Sequence, residues 1–558
     1  MTTDIQHLIT ERLASIGVET HIDVTRYPSI VALFEDAFET HADLDACSSL
    51  GHRLTYRELD QLSADFAAWL QNDSGLSLGD RVAIQMPNLI QYLVACLGTL
   101  RAGMVVVNTN PLYTERELEH QFNDAGVRLL VVQANVAATA AKVLPRTPVE
   151  KVVVTELADL HPQPKRTLIN FVAKYVKKMV PDFHIPGMLK LNHVLRAGRR
   201  KAYQPPELAS DQLAMLQYTG GTTGVAKGAM LSHGNLVANV LQCDAIFKTN
   251  GLNGRGDVFM QPLPVYHIYA FTASMYGLHV GAHTVFIPNP RDLGSVVKAF
   301  QDYRPHLFCG LNTLFVALSN DPAFQALDFS RLKVTLSGGM ALTIDAAERW
   351  QQITGCAVSE GYGLTETSPV VSSNPGNARQ LGTIGLPVPV TQVKVVDAEG
   401  SELGIDEPGE LCVRGPQVMM GYWQRPEATA EVLDDEGWFA TGDVAVIQPD
   451  GYLRIVDRKK DMIVVSGFNV YPNELEDVCA RHPGVLECAA IGEPDPTAGE
   501  TIKMFVVKQD PDLTEAAVRD WCREHLTAYK VPKKVVFREE LPKTNVGKIL
   551  RRELRDPS

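Results

Sequence analysis

The chain has 558 residues, of which 45% are hydrophobic and 21% charged, and its formal net charge at pH 7 is -13. A chain of this length exceeds what one hydrophobic core usually supports, so we expect more than one domain. The acidic balance argues against nucleic acid as a main partner, because binding a phosphate backbone needs a basic surface.

Cysteine usage and hydropathy indicate where the protein works. None of the nine cysteines forms a C-x-x-C pair, and no Cys/His cluster has zinc spacing, so we expect buried thiols in a reducing compartment. The stretch 1–22 lacks the apolar run of a secretory signal, and no uncharged apolar stretch is long enough to span a bilayer. These features predict a cytoplasmic protein, with at most peripheral contact with the inner face of the membrane.

Helices and strands alternate in the first part of the chain. Thr55 and Glu58 have the spacing of a capping box, and the apolar residues that follow at helical period predict a helix to about Leu70. A short strand is predicted at 82–84, a helix at 89–101 and an apolar strand at 104–107. Such alternation is typical of a parallel sheet with helices on its faces.

The segment 167–180 predicts a basic amphipathic helix, with Lys174, Lys177 and Lys178 opposite an apolar face. Asp182 is the only acidic residue between Lys165 and Lys201. Two interpretations stay open: the apolar face docks on the protein's own core, or the segment attaches to anionic membrane. The apolar face consists of Leu168, Ile169, Phe171, Val172, Tyr175, Val176 and Met179.

A glycine- and threonine-rich run at 218–228 has the composition of a phosphate-binding loop. Glycines allow close approach to an anion, threonines add hydroxyl donors, and Lys227 adds a point charge. The P-loop NTPase pattern is a poor match, because Ala226 precedes this lysine and Gly228 follows it. The alternative is a flexible hairpin. The candidate polyphosphate ligands are Thr219, Gly221, Thr222, Thr223, Gly224 and Lys227.

Three later clusters carry further ligand-binding chemistry. Gly338 and Gly339 close an apolar strand predicted at 333–336, where a glycine pair permits close ligand approach. The run 360–367 places an aromatic face, a hydroxyl and a carboxylate within a few residues, which suits a base, a phosphate and Mg²⁺. Asp443 offers a carboxylate for two ribose hydroxyls. The candidates in the run 360–367 are Glu360, Gly361, Tyr362, Gly363, Thr365 and Glu366.

The pattern changes twice towards the C-terminus. From Leu381 onward, short β segments separated by turns predict a β-rich subdomain. After the charged run 457–461, a candidate hinge, helices at 474–480 and 515–525 and strands at 489–491 and 504–507 predict a small α+β unit of about a hundred residues. Near its end, Lys548 follows a glycine inside an apolar stretch, which suits a lysine presented into a site.

Five segments together resemble the adenylate-forming superfamily of acyl-CoA synthetases, and most closely the bacterial long-chain fatty acid–CoA ligases. The five segments are 218–228, 362–366, 441–443, 457–460 and 542–551. The run 457–476, which includes Gly467, resembles the fatty-acid branch in particular. Each motif alone would be weak, but the five occur in the family's order and approximate spacing, and the resemblance covers nearly the whole chain.

The resemblance implies the adenylate-forming fold, an α/β architecture in two domains. A large N-terminal domain of parallel αβ sheets plus a β-rich subdomain would cover 1–456 and bind ATP and fatty acid. Residues 457–460 would form a hinge. A small mobile α+β C-terminal domain, 461–558, would carry the catalytic lysine, Lys548, and rotate between two half-reactions, with Lys460 at the hinge position.

The resemblance also assigns roles to residues of this chain. Thr365 would bond the α-phosphate, Glu366 would ligate Mg²⁺, Lys548 would bridge the carboxylate and the α-phosphate, and His267 would be the polar contact near the carboxylate. The glycine- and threonine-rich run would hold the β- and γ-phosphates. Gly338 and Tyr362 would frame adenine, and Asp443 and Arg458 would take the ribose. The remaining cofactor-binding candidates are Gly339, Glu360, Gly361, Gly363, Lys460 and Gly467.

The implied activity is the conversion of a long-chain fatty acid, ATP and coenzyme A, with Mg²⁺, through acyl-AMP to acyl-CoA, AMP and pyrophosphate. The resemblance leaves room for a homodimer. Alternatives within the superfamily are a ligase for medium-chain or aryl acids, or acyl transfer to a carrier protein. A simple ATPase would release phosphate rather than pyrophosphate and would need no carboxylic acid. A non-catalytic ATP-binding or membrane-scaffold protein would leave Glu366 and Lys548 without a role.

Overall fold

The computed structural model describes residues 4–219, 226–466, 468–495, 498–544 and 549–555. Within these ranges the chain forms four β-sheets with helices packed on them. Up to Ser232 the elements are α1 (Ile5–Ser15), α2 (Ile30–Thr40), β1 (Asp45–Ser49), β2 (His52–Thr55), α3 (Tyr56–Asp73), β3 (Arg81–Gln85), α4 (Ile90–Arg101), β4 (Val105–Thr109), α5 (Glu115–Ala125), β5 (Val127–Gln133), α6 (Ala137–Val143), β6 (Lys151–Thr155), α7 (Lys165–Phe171), β7 (Leu189–Lys190), α8 (Leu191–Gly198), β8 (Leu213–Thr219) and β9 (Lys227–Ser232).

The first large sheet has seven strands in the order β7-β6-β5-β3-β4-β8-β9. All neighbours are parallel except β8 and β9, which form an antiparallel pair at one edge. The predicted capping box is present, because Thr55 accepts from the backbone of Glu58 and the Glu58 side chain accepts from Thr55. The predicted strands, the parallel sheet and the helix ending at Arg101 are confirmed.

The second large sheet has nine strands in the order β16-β15-β14-β13-β12-β10-β11-β1-β2. Its central strands are parallel, so their carboxyl ends meet at one edge. The elements are α9 (His233–Phe247), β10 (Val258–Gln261), α10 (Ile268–His279), β11 (His283–Phe286), α11 (Leu293–Tyr303), β12 (Leu307–Gly310), α12 (Asn312–Ser319), α13 (Pro322–Gln325), β13 (Val334–Ser337), α14 (Ile344–Thr354), β14 (Val358–Gly363), β15 (Val370–Ser373) and β16 (Leu386–Pro387).

A four-stranded antiparallel sheet follows, as the short β segments predict. One hydrophobic cluster extends through both large sheets and into this third sheet, so the three share a continuous core. The elements of the third unit are β17 (Gln392–Val396), β18 (Gly409–Arg414), α15 (Pro426–Ala430), β19 (Phe439–Ile447) and β20 (Leu453–Arg458).

The last unit is a small α+β unit with its own two hydrophobic clusters. The predicted helices at 474–480 and 515–525 are confirmed, and the two predicted strands belong to a long antiparallel pair. The elements are β21 (Ile463–Val465), β22 (Phe468–Val470), α16 (Pro472–Ala480), β23 (Val485–Asp495), β24 (Gly499–Lys508), α17 (Glu515–His525), β25 (Lys534–Arg538) and α18 (Arg551–Arg555).

All nine cysteines are buried and free, as predicted. No described helix combines the length and the apolarity that a bilayer crossing requires.

The basic segment differs from its prediction in two ways. The α-helix covers only Lys165–Phe171 and continues as a π-helical turn to Val176, and Lys178 takes a φ of 51° that ends the helix. The interpretation that the apolar face docks on the protein's own core is wrong for five of its residues, which are 46–63% exposed. These five residues are Leu168, Phe171, Tyr175, Val176 and Met179.

Two glycines beside β16 give a matched test of backbone packing. Gly385 and Gly382 have almost the same φ, +81° and +82°, but a Cβ on Gly385 would lie 2.1 Å from the carbonyl carbon of Ser373, whereas a Cβ on Gly382 meets nothing within 4 Å. Strain at positive φ costs about 1–3 kcal/mol and overpacking costs about as much again. We expect Gly385→Ala to lower the free energy of unfolding by about 3 kcal/mol or more.

The matched control, Gly382→Ala, has the strain of a positive φ but no clash, and it should lower the free energy of unfolding by about 1 kcal/mol. Denaturant unfolding followed by tryptophan fluorescence measures both. Equal losses in the two variants would contradict the predicted close approach.

Candidate active site

The described ends of the glycine- and threonine-rich run lie on the antiparallel strands β8 and β9. Thr219 and Lys227 are directly opposite each other in the antiparallel ladder. Tyr218 and Gly228 form the next pair, and a Cβ on Gly228 would lie 3.1 Å from the Tyr218 ring. The two described candidates of this run therefore mark the base of the loop. Gly221, Thr222, Thr223 and Gly224 lie outside the described residues.

Glu366 lies in a short 3-10 turn with Thr365, between β14 and β15. Its Oε1 accepts a hydrogen bond of 2.7 Å from the Tyr422 hydroxyl. Burial raises the pKa of Glu366, and the Tyr422 hydrogen bond opposes that shift. The Lys227 ammonium lies 5.0 Å from the centre of the Tyr422 ring. One tyrosine therefore contacts both a candidate metal ligand and a candidate phosphate ligand.

A second cluster joins β14 to the third sheet. The Tyr362 hydroxyl donates to Asp443 Oδ2 at 2.6 Å, and Arg458 Nε lies 3.5 Å from Asp443 Oδ1. Asp443 and Arg458 face each other across β19 and β20. Asp443 is only 7% exposed, and the tyrosine and the arginine stabilise its buried carboxylate. The structure thus brings together an aromatic ring, a carboxylate and a guanidinium that are far apart in sequence.

The carboxyl ends of β13 and β14 form the wall next to this cluster. Glu360 and Gly361 lie on β14, and Gly363 ends it. A Cβ on Gly338, just after β13, would lie 3.3 Å from the Tyr269 ring and 3.4 Å from the Gly361 carbonyl oxygen, so a side chain here would press against the Tyr269 ring. Gly339 follows with a φ of +81°.

His267 stands at the amino-terminal end of α10. Burial lowers its pKa to about 4, so the imidazole is neutral at physiological pH. Helix α10 contacts the end of the turn that holds Thr365 and Glu366, which we call the acidic turn. Thr272 in this helix donates to the Ser368 carbonyl at 2.8 Å. An apolar cavity of about 20 Å³ has Leu336 in its lining, and the Leu336 carbonyl accepts a hydrogen bond from the Tyr269 hydroxyl at 3.4 Å. The other residues of its lining include Phe247, Phe259, Tyr276, Thr284 and Cys309.

The C-terminal unit approaches the site just after β20. The Lys460 ammonium is partly removed from water and lies near the Arg458 guanidinium. Both effects lower the pKa of Lys460, to about 8. Arg551 binds Glu476 at 2.8 Å and Asp461 at 3.5 Å. These contacts hold the chain beyond Lys548, which itself lies outside the described residues, as does Gly467.

The sequence interpretation missed two residues, Tyr422 and Asp124. Asp124 accepts from the Tyr218 hydroxyl at 2.7 Å and from Arg425 at 2.5 Å, so it ties the base of the loop to the chain around Tyr422. Neither residue has a spacing signal, because their partners are 56 to 301 positions away. Only the pair of aromatic residues after Gly421 hinted at a packed segment.

The chain is similar to known proteins over nearly its whole length. Residues 34–423 match the model of the AMP-binding enzyme family, and residues 474–548 match the AMP-binding enzyme C-terminal domain. A curated protein of Escherichia coli O157:H7, named long-chain-fatty-acid–CoA ligase, is 52% identical over 97% of this chain and 96% of its own length. A curated protein of the same name from Haemophilus influenzae is 51% identical over 97% and 96%.

Among solved structures, ATP-bound MatB from Rhodopseudomonas palustris is 30% identical, covers 94% of this chain and 98% of its own, and gives a TM-score of 0.80. The fold is that of the adenylate-forming enzymes. The chain belongs to the AMP-binding enzyme family.

The Glu360 carboxyl, on β14, allows a test of how far water is excluded from the carboxyl ends of β13 and β14. Burial raises its pKa from the ordinary 4.5 to about 8, the Leu342 backbone N–H opposes the shift, and Asp477 adds to it. A carboxyl whose folded pKa is raised contributes stability that is complete below about pH 4.5 and is lost as the pH rises through 8. Glu360→Gln mimics the neutral carboxyl and should escape this loss. We expect the variant to gain about 2–3 kcal/mol relative to the natural chain between pH 5 and pH 8.

Unfolding free energies measured across this pH range give the comparison. Glu399→Gln, at an exposed turn, controls for the change in net charge and should show no such divergence. Parallel pH profiles for the natural chain and Glu360→Gln would contradict a desolvated Glu360.

Proposed function

We propose that this protein activates long-chain fatty acids with ATP, through acyl-AMP to acyl-CoA, and releases AMP and pyrophosphate. The observation that carries the proposal is the convergence of four charged residues from three sheets: Lys227, Glu366, Asp443 and Arg458. This convergence occurs in a chain whose full-length curated relatives are named for that activity. ATP and coenzyme A follow from the family, and the acid from those relatives.

The nucleotide is proposed to lie along the carboxyl ends of β13 and β14. Tyr362 and the absence of a side chain at Gly338 suit a planar base, and the carboxylate of Asp443 suits two ribose hydroxyls, with Arg458 beside it. Gly339, Glu360, Gly361 and Gly363 complete this wall. Thr219 and Lys227 hold the β- and γ-phosphates with the loop between them. Thr365 bonds the α-phosphate.

A divalent cation fits the chemistry at Glu366. Carboxylate oxygens are the ligands that Mg²⁺ prefers. In Glu366, Oε1 is fixed by the hydrogen bond from Tyr422, and the other carboxylate oxygen is the candidate ligand. The bound ion would screen the phosphate charges. The chain's own residues do the rest: Lys227 holds the departing pyrophosphate, and Lys548 offsets the repulsion when the fatty carboxylate attacks the α-phosphate. His267, neutral at physiological pH, contacts that carboxylate without adding charge.

We propose the domain division 1–456, 457–460 and 461–558, with rotation about Lys460 between the half-reactions. Gly467, on the C-terminal unit, is proposed to serve the second half-reaction with coenzyme A. Lys548→Ala should slow acyl-AMP formation by about 10²–10³-fold, because the charge between two anions is lost. It should leave thioester formation from supplied acyl-AMP largely intact. Lys460→Pro should show the opposite pattern, because proline fixes φ at the hinge.

Single-turnover assays of each half-reaction measure both effects. Lys543→Ala removes a nearby lysine that pairs with Glu487 and controls for lost charge, and Lys460→Ala controls for the lost side chain at the hinge. Equal loss of both half-reactions in Lys548→Ala would count against domain alternation.

AMP formation against fatty acids from short to long, with coenzyme A present, tests the activity itself. A preference for medium-chain or aryl acids would redirect the proposal within the family. Release of phosphate rather than pyrophosphate, with no need for an acid, would instead indicate a simple ATPase.

We also propose that the segment 165–201 contacts an anionic membrane surface, chiefly through residues 165–179. Five apolar residues of 165–179 are exposed, and the ring centres of Phe171 and Tyr175 lie 5.1 Å apart with the rings tilted against each other. Lys174 lies over the Tyr175 ring at 5.4 Å. Between positions 165 and 201 there are ten Lys or Arg and one Asp, in a chain whose net charge is -13. An apolar strip flanked by lysines is complementary to an anionic interface.

Replacing Lys174, Lys177 and Lys178 together with Glu should weaken binding to anionic vesicles by more than about tenfold, since each basic residue contributes about 1 kcal/mol near such a surface. Vesicle sedimentation at low and at high salt measures this. The charge-matched control has Glu in place of three exposed lysines elsewhere in the chain, Lys142, Lys248 and Lys298. Equal binding by the two triple variants would contradict membrane contact through these lysines.

The resemblance also leaves room for a homodimer, and the mass of the protein measured in solution tests it.

A further inference from the structure

Tyr422 is the one side chain among the described residues shown to contact both Glu366 and Lys227. Its hydroxyl donates to Glu366 Oε1 at 2.7 Å, and its ring faces the Lys227 ammonium at 5.0 Å. The tyrosine is 8% exposed. The two charges that it contacts belong to different sheets, since Lys227 begins β9 and Glu366 follows β14.

The backbone fixes Tyr422 independently of its side chain. Residues 420–423 run antiparallel to β9, with Met420 N donating to the Met230 carbonyl and Trp423 N to the Gly228 carbonyl. On the other side, Met419 N donates to the Glu366 carbonyl at 2.8 Å. Its neighbours make these three bonds, and its own N–H donates to Thr429 Oγ1 at 2.9 Å, so Tyr422 has little freedom to relax when its hydroxyl is removed.

Hydrogen bonds to a ligating carboxylate fix its rotamer, and their loss typically weakens metal binding about 10- to 100-fold. A cation above an aromatic face gains about 0.5–2 kcal/mol, more where water is excluded. We propose that Tyr422 is a positioning residue that aims the Glu366 carboxylate at a divalent cation and holds Lys227 at a fixed distance from it. This inference rests on the proposed function and assigns Tyr422 a separate effect for its hydroxyl and for its ring.

Tyr422→Phe removes the hydroxyl and keeps the ring. The Mg²⁺ concentration that supports half-maximal ATP binding should rise about tenfold, while ATP affinity at saturating Mg²⁺ and the KM for fatty acid change less than about twofold. Calorimetric titration of ATP at a series of Mg²⁺ concentrations, without any acid, gives the binding values. Tyr422→Leu removes the ring as well and should also weaken ATP binding at saturating Mg²⁺, by about two- to fivefold.

Tyr452→Phe is the matched control, because Tyr452 is fully buried and its hydroxyl bonds a backbone carbonyl, that of Ala378. It should leave the Mg²⁺ requirement unchanged. A Mg²⁺ requirement in Tyr422→Phe equal to that of Tyr452→Phe would overturn the inference, and so would a loss of ATP affinity that excess Mg²⁺ does not restore.

ATP binding is measured without fatty acid, so the inference about Tyr422 is tested separately from the proposed formation of AMP and acyl-CoA. If the natural chain shows Mg²⁺-dependent ATP binding but forms no AMP with any fatty acid, the proposed activity fails while the result for Tyr422 stands. Absence of Mg²⁺-dependent ATP binding in the natural chain would overturn both.

Discussion

The pairing of residues 419–423 with two partners holds the site together. One side of this segment bonds β9 at the base of the loop, and the other bonds the backbone of the acidic turn at Glu366. The loop belongs to the seven-stranded sheet and the turn to the nine-stranded sheet. Without this segment, the distance between Lys227 and Glu366 would depend only on how two large sheets pack. Asp124 braces the same segment by accepting from Arg425 and Tyr218.

Charge explains why the site is divided among several units. The proposed chemistry joins a carboxylate to a triphosphate, so the cations that oppose their repulsion must surround the reacting atoms. In the proposed function, a chain with a net charge of -13 would supply them from separate places: Lys227 from the first sheet, Arg458 from the end of the third, and Lys548 from the C-terminal part of the sequence. Carboxylates beside these cations offset part of their mutual repulsion, as Asp443 does beside Arg458.

Local signals were sufficient for much of the fold. The capping box at Thr55, the helix at 515–525 and the β-rich stretch after Leu381 are properties of short windows, and the structure confirms them. The partners of Tyr422 and Asp124 were not predictable, because their contacts depend on how distant strands align. Amphipathicity likewise could not decide the basic segment, since a face that docks on a core and a face exposed to solvent have the same pattern.

The junction between the units shows what the proposed rotation must overcome. Asn473, at the start of α16, donates its backbone N–H to Asp457 Oδ2 at 2.8 Å and its side-chain amide to the Val456 carbonyl at 3.4 Å. Both bonds cross the proposed hinge and must break if the C-terminal unit turns. The bonds of Arg551 to Asn473, Glu476 and Asp461 lie wholly beyond the hinge and can move as one body. Rotation therefore exchanges a few hydrogen bonds, each with a net contribution of about 1 kcal/mol, and leaves the support of the Lys548 segment intact.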